Sequence, residues 1–103
     1  MSKIITIAHQ KGGVGKSTLA LNLSYRFSHD VKIALTDVDP QGTIMNLKGL
    51  VEDFDIINFD NVKKLKKSEY DVVFIDSPPY IIETIQPIFE ESDFVLVPTK
   101  VGV

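Results

Sequence analysis

The stretch Gln10-Lys11-Gly12-Gly13-Val14-Gly15-Lys16-Ser17-Thr18 decides the fold of this chain. It follows a short apolar run, residues 4–8, that predicts a buried strand, and it opens a helical pattern of apolar residues spaced four apart over Leu19–Phe27. A strand, a glycine-rich turn and a helix are the context of a phosphate-binding loop. The glycines let backbone N–H groups point into one concavity, and the helix start adds partial positive charge. We therefore expect Lys16 to reach the outer phosphates of a ligand and the Ser17 hydroxyl to ligate Mg²⁺.

This loop departs from the usual phosphate-loop pattern at one position and adds a lysine at another. The usual glycine is replaced by Gln10, and Lys11 stands ahead of the glycine pair. With these residues the chain resembles the deviant Walker A ATPases, and its Gln-Lys-Gly-Gly start resembles their ParA branch, which partitions DNA. The resemblance implies ATP and Mg²⁺ as cofactors and a homodimer in which Lys11 contacts the partner's phosphates, as an arginine finger does in trans. The nucleotide-binding residues that it implies are Gly12, Gly13, Val14, Gly15, Lys16, Ser17 and Thr18.

A second motif, Asp37-Val38-Asp39-Pro40-Gln41-Gly42, follows an apolar run that predicts a strand over Val31–Leu35. Two carboxylates spaced two apart at a strand end point to the same side of a sheet, and ligands of open α/β sheets bind at the carboxyl ends of strands. The motif also resembles the ParA branch, which implies that Asp39 orients the attacking water and that Asp37 lies near the metal. The alternative is an acidic turn in which Asp39 caps a helix beginning at Pro40.

A third motif ends the most apolar segment of the chain. Residues 72–75 are four consecutive β-branched or aromatic residues, which predicts a central parallel strand buried on both faces. Asp76 follows it, placed to hold the metal through water as a Walker B carboxylate does. The resemblance implies that the stiff turn Ser77-Pro78-Pro79 senses the γ-phosphate, with Pro78 at the nucleotide. The alternative is a purely structural turn.

The remaining segments carry weaker signals. The lysines around Leu65 predict a short helix, whose basic face could touch a phosphate backbone or could be a solvated surface. We interpret His9 as a loop-bracing residue and His29 as a solvated loop residue. Pro87 in the next helical stripe predicts a kink or a late helix start. The other predicted elements are a short helix over residues 43–50, a strand over 56–59, a helical stripe over 81–89 and a final strand over Phe94–Val97.

These patterns predict an α/β protein with the three-layer P-loop NTPase fold and a mostly parallel sheet. The chain has 103 residues, of which 44% are hydrophobic, so we interpret residues 1–103 as the N-terminal portion of a single ATPase domain whose C-terminal part is missing. The last strand is therefore expected to lack a covering layer. There is no cysteine, and no apolar run reaches the length of a membrane span, which favours a cytoplasmic protein without membrane contact.

The resemblance implies a DNA partition ATPase that cycles between an ATP-bound dimer and an ADP-bound monomer. Its implied partners are a centromere-binding protein and nonspecific DNA. The net charge of −3 argues that DNA contacts lie beyond this chain. One alternative is another deviant Walker A branch, for division-site positioning or iron–sulfur cluster assembly. A second is a truncated, catalytically silent nucleotide-binding fragment.

Overall fold

The computed structural model describes the backbone of residues 1–8, 16–39, 42–77 and 82–97, and the side chains of residues 1–8, 19–39, 42–77 and 86–97. Within these ranges, strands and helices alternate along the chain. In chain order the elements are β1 (Lys3–Ala8), α1 (Lys16–Ser28), β2 (Ile33–Asp37), a 3₁₀ helix (Thr43–Leu47), β3 (Asp55–Ile56), α2 (Val62–Lys66), β4 (Val72–Ser77), α3 (Ile82–Glu91) and β5 (Phe94–Leu96). The predicted α/β class is confirmed.

The strands form one parallel sheet in the order β3-β2-β4-β1-β5. The connection from β1 through α1 to β2 therefore passes over β4, which lies at the centre of the sheet. Val73, Phe74 and Ile75 of β4 are buried, as predicted for a strand covered on both faces. Because β1 and β2 are parallel, α1 runs back against them and begins at the carboxyl edge of the sheet.

Alternate residues of β1, β2 and β4 enter two separate apolar cores, one on each face of the sheet. On the first face, α1 packs through partly buried Leu19 and Leu23. The buried residues there include Ile7, Leu35 and Phe74 from three neighbouring strands. The second face is covered by α2 and α3, and its buried members are Ile4, Ala34, Val62, Leu65, Val73, Ile75 and Ile88. These two cores complete the three-layer arrangement.

Two strands differ from the predicted bounds. The second strand begins at Ile33 rather than Val31, because the Val31 amide donates to the Phe27 carbonyl at 3.0 Å and is part of the turn that follows α1. The third strand is limited to Asp55–Ile56, although the Ile57 amide still donates to the Leu35 carbonyl at 2.9 Å. The apolar pattern located both segments correctly but not their ends.

Two predicted helices also need correction. The helix expected over residues 43–50 is a 3₁₀ helix that ends at Leu47, two residues before Gly49, whose φ of +84° suits glycine. Pro87 lies inside α3, which begins at Ile82, so the alternative of a late helix start is wrong. In α2, Val62 is buried as well as the predicted Leu65.

The edge strand β5 is anchored at its start but exposed along its length. Asp93 donates its amide to the Ile4 carbonyl and accepts the Ile4 amide through its carboxylate, both at 2.8 Å. Phe94 is nevertheless 63% exposed, and the three residues after it are exposed as well. Among the described residues, the apolar side chains of this strand are therefore open to solvent.

Candidate functional site

The three sequence motifs meet at the carboxyl edge of the sheet. They follow β1, β2 and β4, and β4 pairs with both of the other strands. The connection from Ala8 to Lys16, which contains most of the glycine-rich loop, starts from the same edge and leads into α1. Residues far apart in sequence are thus brought to one region by the strand order.

Asp37 and Asp76 are the last acidic residues of β2 and β4, and they are register partners on these adjacent strands. Partners in a parallel sheet point to the same side, and the alternation of the strands places both on the face that α1 covers. Each residue is only 5% exposed. The structure therefore buries two carboxyl groups side by side at the edge where the phosphate-binding motif begins.

This environment changes the acidity of Asp37. The pKa of Asp37 is raised to about 6, mainly by burial and also by the nearby charges of Asp76 and Asp39, although the hydrogen bond from the Asp39 amide lowers it. A carboxyl group with such a pKa is poised to exchange its proton for a cation. The site therefore favours a positively charged ligand next to this acidic pair.

The turn after β2 is built around the Asp37 carboxylate. Its Oδ1 accepts the Asp39 amide at 2.9 Å, and the Val38 amide donates to the Asp76 carbonyl at 3.0 Å. The Gly42 amide donates to the Asp39 carbonyl at 2.9 Å. A Cβ at position 42 would overlap Asp37 Oδ2 and lie 2.6 Å from its Cγ. A residue larger than glycine there would require the Asp37 carboxylate to rotate.

The structure brings together part of the predicted site. Asp37, Asp39 and Asp76 lie close enough to influence one another electrostatically. Lys16, Ser17 and Thr18 form the first turn of α1, as expected, although their side chains lie outside the described residues. Also outside are Lys11, Gly12, Gly13, Val14, Gly15 and Pro78. Sequence reasoning gave Gly42 no role, although a glycine directly after Asp-Pro-Gln was the available signal.

The acidic pair suits Mg²⁺ rather than a metal held entirely by protein. Within the described ranges, no group of three or more His, Cys, Asp or Glu side chains is arranged to hold a metal ion. Mg²⁺ commonly takes one or two carboxylates, several waters and the phosphates of a nucleotide. Asp37 and Asp76 are two carboxylates on adjacent strands, as such a site requires.

The lysine cluster of α2 is partly neutralised within the chain. Lys64 forms an ion pair with Asp60 at 2.6 Å, four residues earlier, and Lys66 forms one with Glu91 of α3 at 3.0 Å. These pairs favour the interpretation of a solvated helix face over that of a phosphate-backbone contact.

In the part of the chain that the structure describes, no helix is long and apolar enough to cross a membrane.

The chain has a parallel sheet with an acidic pair at the carboxyl ends of adjacent strands. The helix beside this pair follows a glycine- and lysine-rich segment. Together these features define a nucleotide-binding α/β protein. Comparison with protein families gives the same result. The model of the CobQ/CobB/MinD/ParA nucleotide binding domain matches residues 5–90, and the chain belongs to this family.

Curated proteins similar to this chain include two with different described roles. The maintenance of carboxysome distribution protein A of Halothiobacillus neapolitanus is 29% identical over 105 residues, covering 91% of this chain and 49% of that protein. The sporulation initiation inhibitor protein Soj of Bacillus subtilis is 37% identical over 87 residues, covering 71% of this chain and 34% of that protein. The chain thus spans half or less of the length of these relatives.

A solved structure shows the same fold. The plasmid partition protein of Borrelia burgdorferi B31, crystallised with AMPPNP, superposes with a TM-score of 0.77 and 25% identity, covering 94% of this chain and 62% of that one. The match confirms the predicted P-loop NTPase fold and the relationship to ParA-type partition proteins.

Proposed function

We propose that this chain is the nucleotide-binding portion of a Mg²⁺-dependent partition ATPase that alternates between an ATP-bound dimer and an ADP-bound monomer. The observation that carries the proposal is the buried pair Asp37 and Asp76 at the carboxyl ends of adjacent strands, at the edge where α1 begins. In a bound nucleoside triphosphate, the Mg²⁺ would supply positive charge for the carboxylates, and the phosphates would supply negative charge for the start of the helix.

Each residue of the site has a proposed role. Lys16 would bind the β- and γ-phosphates, and Ser17, Asp37 and Asp76 would hold Mg²⁺, which when bound neutralises charge on the phosphates. Asp39 would orient the attacking water. Catalysis of this kind depends on positioning and charge stabilisation rather than on a covalent intermediate.

The glycine-rich loop and Pro78 complete the proposed site. The backbone of Gly12, Gly13, Val14, Gly15 and Thr18 would surround the phosphates. Lys11 would cross the interface of a homodimer to the partner's nucleotide, and Pro78 would respond to the γ-phosphate. Hydrolysis would then weaken the dimer by removing the group that both subunits contact.

Relatives support ATP as the nucleotide and partition as the class of process. The similar Borrelia protein was crystallised with AMPPNP, an ATP analogue, and other similar proteins are described as chromosome partitioning proteins. We infer a cytoplasmic protein that works with a centromere-binding partner protein. Nonspecific DNA would be bound through residues outside this chain, whose own net charge is −3.

The proposal can be tested by measuring ATP turnover of the whole partition ATPase proposed here, including its DNA-binding residues, with Mg²⁺ alone, with nonspecific DNA and with anionic lipid vesicles. Stimulation by DNA would support a partition ATPase, whereas stimulation by vesicles alone would favour a branch that positions division sites. Lys16→Ala should abolish turnover, and Lys64→Ala is the matched control, because its ion pair with Asp60 is exposed. The absence of turnover under all three conditions would refute the proposal and leave a silent nucleotide-binding module.

A further inference from the structure

The first observation concerns the hydrogen bond within the Asp37-Val38-Asp39 segment. Asp37 Oδ1 accepts the backbone amide of Asp39, two residues later, at 2.9 Å. An aspartate that binds the backbone two residues on forms an Asx turn, which fixes the direction of the chain between the two residues. The Asp37 side chain thus controls where the Asp39 backbone lies.

The second observation is that the Asp37 carboxylate is itself held in place. Asp37 is 5% exposed, and the Gly42 backbone lies so close to Oδ2 that a Cβ there would overlap it. The Val38 amide is tied to the Asp76 carbonyl, and the Gly42 amide to the Asp39 carbonyl. Contacts on both sides therefore restrict the carboxylate and, through it, the position of Asp39.

We infer that Asp37 is a positioning residue for Asp39, in addition to any part it takes in binding Mg²⁺. The inference rests on the proposed function, in which Asp39 orients the attacking water. A small displacement of such a group lowers the rate steeply while it leaves ground-state binding of the nucleotide almost unchanged. Loss of the Asx turn should therefore lower kcat more than it raises KM.

Two substitutions separate positioning from metal binding. Asp37→Asn keeps an amide oxygen that can accept the Asp39 amide but removes the negative charge that a cation requires. Asp37→Leu has a similar size and removes both the hydrogen-bond acceptor and the negative charge. If Asp37 positions Asp39, turnover of the asparagine variant should exceed that of the leucine variant by about tenfold, at a similar KM.

A measurement without nucleotide tests the geometry directly. Hydrogen exchange of the Asp39 amide should stay slow in Asp37→Asn and become at least about tenfold faster in Asp37→Leu. The Ile57 amide, which donates to the Leu35 carbonyl at 2.9 Å, is the control for an intact fold and should not change. If the Ile57 amide also exchanges faster in Asp37→Leu, the fold of that variant is disturbed, and Asp37→Ala provides a second variant without a hydrogen-bond acceptor at position 37.

The outcomes are distinct from those of the proposed function. Slow Asp39 exchange in every variant, or fast exchange in Asp37→Asn as well, would overturn the inference. Equal turnover of the asparagine and leucine variants would also overturn it. If the wild-type chain hydrolyses no ATP, the proposed function fails, and the exchange of the Asp39 amide still decides whether Asp37 holds Asp39 in place.

Discussion

Replacing Thr36 by valine should stabilise the nucleotide-free chain. Thr36 lies on β2 and is fully buried, and its Oγ1 has no hydrogen-bond partner in the described part of the chain. A buried hydroxyl without a partner costs about 1–3 kcal/mol in protein mutational data. Valine keeps the β-branched shape and places a methyl group in the apolar core instead. We expect the free energy of unfolding to rise by about 1–2 kcal/mol, and Tm by about 5 °C or more.

The same row of the sheet contains a matched control. Ile75 of β4 is the register partner of Thr36 on one side and of Thr6 on the other. Thr6 is equally buried, but its Oγ1 lies 2.6 Å from Ser92 Oγ and is hydrogen-bonded. Thr6→Val removes that bond and should lower the free energy of unfolding by about 1 kcal/mol. The same substitution should therefore change the free energy of unfolding in opposite directions on β1 and β2, the two strands that flank β4.

Urea unfolding followed by far-ultraviolet circular dichroism would measure both effects, since the chain has no tryptophan for fluorescence. The two midpoints should fall on opposite sides of the wild-type midpoint, with similar m-values. A Thr36→Val midpoint lowered as much as that of Thr6→Val would refute the reasoning. It would show that the Thr36 hydroxyl has a partner in solution.

Three further predictions concern the site. Because Asp37 has a higher pKa in the folded chain, about 6, than when unfolded, it binds its proton more tightly when folded. The free energy of unfolding should therefore rise as the pH falls from about 7 to 4. Asp37→Asn should remove this pH dependence and raise the free energy of unfolding by up to about 3 kcal/mol at pH 7.5. Urea midpoints would measure both effects. Lys16→Ala should abolish ATP binding, whereas Lys11→Ala should spare binding and prevent ATP-dependent dimerisation; equal loss of binding by calorimetry would contradict this division of roles. Asp39→Ala should leave nucleotide affinity nearly intact and slow turnover, and turnover at the wild-type rate would exclude Asp39 from the mechanism.

The site could be predicted from sequence to the extent that each motif marks the end of a strand. The glycine loop, the Asp37–Gly42 segment and Asp76 all follow apolar runs, and the carboxyl ends of parallel strands share one edge. The sequence could not specify which strands are neighbours. Asp37 and Asp76 are register partners because β2 pairs with β4 rather than with β1, which follows from packing across the whole sheet.

The ends of the strands and helices were harder to predict, because local hydrogen bonds compete with the preferences that the pattern of apolar residues expresses. Val31 has the composition of a strand residue, yet its amide completes the turn at the end of α1 by donating to Phe27. Pro87 removes one helical hydrogen bond, yet α3 continues through it while Ile88 stays buried in the core. In both places, tertiary packing and single hydrogen bonds outweighed the residue preferences that the sequence expresses.

The strongest argument for a ligand at this edge comes from the change in chemistry between adjacent rows of the sheet. The row of Thr6, Ile75 and Thr36 belongs to the core, and the next row toward the carboxyl edge places Asp76 and Asp37 side by side. Burial and the charges of Asp76 and Asp39 raise the pKa of Asp37, so the ionised form of this carboxyl group destabilises the fold. The hydrogen bond from the Asp39 amide requires an acceptor at position 37, but it does not require a negative charge. A cation that arrives with a nucleotide would offset the cost of that charge, and variants that neutralise Asp37 should therefore gain stability and lose function together.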